Sequence, residues 1–106
     1  MNPEALVRPE LDIGVPHGGL LLAFAETIIG TDRAALDAAR AALVDALGPE
    51  AISGASAIAG NFTKNDRVAN GLGIPVDPPV LQGTEELREQ LGLNAYKSAE
   101  NTFRHM

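Results

Sequence analysis

Glu26 is the first residue in this chain whose setting suggests chemistry. It and Thr27 are the only polar side chains in the run from Leu20 to Ile29. A carboxylate in apolar surroundings needs a cation or hydrogen-bond donors, or its pKa rises. In a helix-lined pocket such a group can serve as general acid or base. Arg67 is the second candidate, because a guanidinium can grip a substrate carboxylate through two parallel hydrogen bonds. Asn61 and Asn65 are four residues apart, so they share a helix face as hydrogen-bond donors for a substrate, and His17 could join from a flexible arm. This set describes a cofactor-independent acid–base enzyme acting on a small carboxylate or lactone. Each residue also has a purely structural use. Glu26 can pair with Arg67 or sit on an exposed edge, and Arg67 can lock two helices or two subunits together.

Other motifs carry less. His17-Gly18-Gly19 has the composition of an oxyanion-hole loop, but the nearest nucleophile elbow, Gly54-Ala55-Ser56-Ala57-Ile58, lacks the closing glycine and sits within a helical pattern with no strand before it. Gly71 and Gly73 follow a helix rather than a strand and lack the third glycine of a dinucleotide fingerprint. The only histidines, His17 and His105, stand near opposite ends and form no helical ligand pair, so no metal site is expected. Asn61-Phe62-Thr63 has the form of a glycosylation acceptor, but it lies on a helix in a chain without a signal-peptide pattern at its start.

Composition narrows the function classes. The chain has 106 residues and fits one domain. It carries 8 Lys plus Arg against 14 Asp plus Glu, a net charge of −6, which disfavours nucleic acid and anionic membranes as partners. It has no cysteine, which excludes disulfides, thiolate nucleophiles and thiol peroxidase chemistry within it. A cytoplasmic location fits this composition, and no apolar run is long enough to span a bilayer. With 3 Phe, 1 Tyr and no Trp, the core is thin, so a self-associated state is expected.

The elements that position these residues are all helical. Met1–Gly19 reads as an extended N-terminal arm, followed by a single helical domain over 20–106. Leu20, Leu21, Phe24 and Ile28 predict a helix over 20–29, apolar nearly all round and closed by a left-handed Gly30. Thr31 or Asp32 caps a second helix over 33–47, with Leu36, Ala39, Leu43, Ala46 and Leu47 as its stripe. Pro49 opens a third over 50–72, about 34 Å long. Its expected buried face includes Ile52, Ala55, Ile58, Ala59, Phe62, Ala69 and Leu72. Gly54 and Gly60 inside it point to close backbone contact or a kink. A proline-rich connector over 73–83 leads to a short helix over 84–91, capped by Thr84. The segment 94–103 is a last helical turn or a docking tail, with Leu93, Tyr96 and Phe103 as anchors.

Leu21-Leu-Ala-Phe-Ala-Glu26, then Ala59-Gly-Asn-Phe62, Arg67-Val-Ala69 and Gly-Leu-Gly-Ile-Pro75 together resemble the carboxymuconolactone decarboxylase family, also called alkylhydroperoxidase D-like. The resemblance covers about residues 20–75. It implies an all-α antiparallel bundle that assembles as a homo-oligomer. The peroxidase branch of that family uses a Cys-x-x-Cys pair with a nearby Glu and His, and none of these positions maps onto this cysteine-free chain. What matches looks like the C-terminal half of the fold, with missing helices supplied by other subunits or by a separate chain. The leading expectation is therefore a non-peroxidase binding or structural subunit, packed through a small-residue face over 55–62. The acid–base enzyme is the alternative, and an acidic adaptor whose arm folds on a partner is a third.

Overall fold

The computed structural model describes residues 1–104, and among these the chain is all-helical with no strand. His105 lies outside the described residues. Contacts divide the chain into two compact units, Met1–Thr63 and Lys64–Met106.

In the first unit, α1 (Gly18–Ile28) packs on α2 (Arg33–Leu47). The Asp32 side chain accepts a hydrogen bond from the Ala35 backbone N–H at 3.0 Å, which satisfies one of the free donors at the start of α2. Asp37 pairs with Arg33 at 3.3 Å and Arg40 at 2.7 Å along the outer face. Such exposed pairs contribute at most about 1 kcal/mol each. The buried hydrophobic residues are Ala5, Phe24 and Leu43, and Leu43 is fully enclosed. Along α1 Phe24 is buried, Leu20, Leu21, Leu22 and Ile28 are half-buried, and Ile29 just past its end is exposed. Gly30 does not take the left-handed conformation; Ile29 closes the helix in the right-handed region.

The N-terminal segment, expected to be an extended arm, folds back on itself. A 3₁₀ turn spans Pro3–Leu6, and the Asn2 N–H donates to the Ile13 carbonyl at 2.7 Å. Two local features fix this loop. The Asn2 side chain accepts from the Glu4 N–H at 3.2 Å, and Asp12 accepts from the Gly14 N–H at 2.8 Å. Prolines at positions 3, 9 and 16 restrict the intervening backbone. Gly18 is buried against Ile13, leaving no room there for a side chain.

The helix α3 (Glu50–Leu72) runs unbroken through Gly54 and Gly60 and contributes residues to both units. It buries none of its residues. Ile52, Ala55 and Ala59 are half-buried in the first unit, whereas Ile58 and Phe62 are each 62% exposed. The inward face is therefore narrower than the sequence pattern suggests, and no atom of another element comes near Gly54 or Gly60.

In the second unit, the connector expected over 73–83 contains α4 (Pro78–Gly83). Pro78 and Pro79 occupy its first turn, where a missing N–H costs nothing. Next come α5 (Glu85–Leu91), two 3₁₀ turns at Leu93–Ala95 and Lys97–Ala99, and α6 (Glu100–Phe103). Thr84 stands at the N-cap of α5, as expected, but its side chain makes no capping bond to the helix. It also terminates α4, so its hydroxyl donates back to the Val80 carbonyl at 2.8 Å. Buried Thr102 ties this unit together, its Oγ1 accepting from the Val76 N–H at 2.9 Å. Gly73 has a φ of +69°, and a side chain there would crowd the Arg104 guanidinium.

Candidate functional site

The second unit contains a groove of about 480 Å³, within the size range of small-molecule sites. One wall comes from α3, through Asp66, Ala69 and Asn70, which recur at helical spacing. The connector supplies Ile74 and Val76, α4 supplies Leu81, and the C-terminal turns supply Leu93, Tyr96 and Phe103. The lining is mostly apolar, with a few polar groups set into it.

Those polar groups differ in how far they are already committed. Arg88 on α5 donates from Nη1 to Asn94 Oδ1 at 2.6 Å, from Nη2 to the Leu81 carbonyl at 2.8 Å and from Nε to Thr84 Oγ1 at 3.3 Å. Three of its five N–H groups are thus spent on holding α4, α5 and the following turn together. Asn101 Nδ2 donates to Asn70 Oδ1 at 2.9 Å, joining α6 to α3 across the groove wall. Among the described residues, the Asp66 carboxylate has no ion pair and no hydrogen-bond partner.

The residues singled out from sequence are distributed differently. Glu26 is exposed on α1, forms no ion pair among the described residues, and borders a cavity of about 70 Å³ in the first unit. That volume is well below the 300 Å³ or so at which small-molecule pockets begin. His17 precedes α1 and is exposed, with a left-handed backbone at φ 55° that is uncommon for a residue other than glycine. It stands nine positions before Glu26, about 13 Å along the axis of α1, so the two do not meet over one small substrate. Asn61, Asn65 and Arg67 are exposed on α3, Asn61 in the first unit and the other two in the second. Asn61 and Asn65 are one turn apart on this continuous helix, as expected.

The groove was hidden from sequence reasoning because its walls come from short, irregular segments. One signal was legible: Asp66 and Asn70 stand four apart with small Ala69 beside them, a polar face with room next to it. Among the described residues, no cluster of three or more acidic, His or Cys side chains could hold a metal ion, and no helix is long and apolar enough to cross a membrane. No family model, no curated protein and no solved structure matches the chain.

Proposed function

We propose that the chain is a self-associating helical module, a binding or structural subunit in which a second copy covers the exposed face of α3. The observation that carries this reading is a pair of large apolar side chains, Ile58 and Phe62, left exposed on α3, a helix that buries none of its residues.

The first-unit part of α3 is where such an interface fits best. Ile58 and Phe62 are one turn apart, both 62% exposed, and Gly54 one turn earlier leaves the backbone open to close approach. None of these three carries a charge, so the centre of the face adds no like-charge repulsion when a second copy meets it. This reading agrees with the oligomeric, all-helical assembly implied by the resemblance to the carboxymuconolactone decarboxylase family, without its thiol chemistry. The acid–base alternative gains no such support, because Glu26 is exposed beside a cavity too small for a substrate.

The test is sedimentation velocity on the wild-type chain and on Ile58→Asp. The wild type should sediment as a dimer or larger species, and the variant should shift to monomer while keeping its helical circular dichroism. An Ile58→Asp protein that assembles like wild type would remove α3 as the seam. Assembly only after a different chain is added would replace the second copy with a separate partner.

A further inference from the structure

The groove in the second unit presents a different charged group from the one the sequence suggests. Arg67 points to a carboxylate ligand, but it is Asp66, the residue before it, that lines the groove, and Arg67 does not. The formal charges on the lining are therefore Asp66 and Arg88. Arg88 is half-buried and already holds Asn94, Leu81 and Thr84. Asp66 is exposed and holds nothing among the described residues. Arg88 keeps its positive charge, since all three of its partners are neutral, but its guanidinium is tied into the fold; the Asp66 carboxylate is the charged group whose hydrogen-bonding capacity is uncommitted.

We propose that this groove binds an organic cation, a molecule with an apolar body and an ammonium head directed at the Asp66 carboxylate. Three further features suit that chemistry. The walls Ile74, Val76, Leu81 and Phe103 offer apolar surface for the body. Tyr96 also lines the groove and is 64% exposed, an aromatic side chain of the kind that attracts cations. The Asn70–Asn101 amide pair retains N–H and carbonyl capacity beyond its mutual 2.9 Å bond, enough to accept or donate to a neutral polar group on the same ligand. The net charge of −6 on the whole chain attracts cations and repels anions at long range. Asp66 lies one turn beyond Phe62 on the same row of α3, so the seam and the groove are neighbours and sedimentation is read beside the titration to tell the two apart.

The experiment is a nitrogen-15 NMR titration of the full chain with three probes of matched body: 4-phenylbutylammonium, 4-phenylbutanol and 4-phenylbutyrate. The ammonium should shift the backbone amides of Ala69, Asn70 and Thr102 saturably, and bind about fivefold tighter than the alcohol, the upper end for a partly solvated ion pair. The butyrate should bind weakest. Asp66→Asn should bring the ammonium down to the level of the alcohol, whereas Arg67→Gln should not weaken it. Raising sodium chloride from low to high concentration should weaken the ammonium alone. Butyrate binding as tightly as the ammonium would make Arg88 the anchor and overturn the proposal. An unchanged ammonium affinity in Asp66→Asn, or shifts lying outside the groove, would overturn it equally. Sedimentation of the same samples keeps this outcome separate from the self-association test.

Discussion

Replacing Leu43 by alanine is the sharpest probe of what holds the first unit together. Leu43 has a relative exposure of 0% and is the largest fully buried side chain among the described residues. Truncating a leucine so enclosed removes its transfer free energy and leaves a cavity, costing about 2–5 kcal/mol. The first unit spans Met1–Thr63, and at roughly 0.05–0.15 kcal/mol per residue its total stability is about 3–9 kcal/mol. Leu43→Ala should therefore remove between a quarter and all of that stability. Leu47, one turn further along α2 and 40% exposed, provides the control, and its truncation should cost under about 1 kcal/mol. Urea unfolding of both variants by far-ultraviolet circular dichroism reads the difference directly. The expected result is a large drop in midpoint for Leu43→Ala at an unchanged slope, and a small one for Leu47→Ala. Equal effects of the two truncations would refute the picture of a core centred on Leu43.

Thr102→Val keeps the side-chain shape and removes the acceptor for the Val76 N–H. It should cost about 1–3 kcal/mol and raise hydrogen exchange at Val76, whereas Thr102→Ser should keep that amide protected. Gly60→Ala places a methyl group in open space within α3, and thermal unfolding should show a gain of about 0.5–1 kcal/mol. Gly18→Ala should do the reverse, losing about 1–3 kcal/mol, because its new methyl group would collide with the Ile13 side chain.

Long regular elements were the legible part of this chain. The boundaries of α2 and α3, and the body of α5, follow from apolar spacing and from helix-ending glycines such as Gly48 and Gly92. Both of these glycines have positive φ, the backbone region in which they cost least. What spacing could not supply was depth of burial. Ile58 and Phe62 sit at helical spacing with Ala55 and Ala59, and only the contacts made by α3 decide which of them faces inward. Proline-rich segments misled in a consistent way. Pro78-Pro79 reads as a connector, yet proline is well suited to the first turn of a helix, and α4 begins there. The N-terminal loop closes through Asn2 and Ile13, eleven residues apart, a pairing that no local periodicity announces. The groove residues share this difficulty, since Asp66, Arg88 and Tyr96 are brought together by short turns without a repeating pattern.

Sedimentation equilibrium over a range of concentrations tests the central claim most directly, because self-association through α3 is read as mass. The account predicts an average mass of at least twice 11.0 kDa at micromolar concentration. A single species of 11.0 kDa that stays folded across the whole range would contradict it.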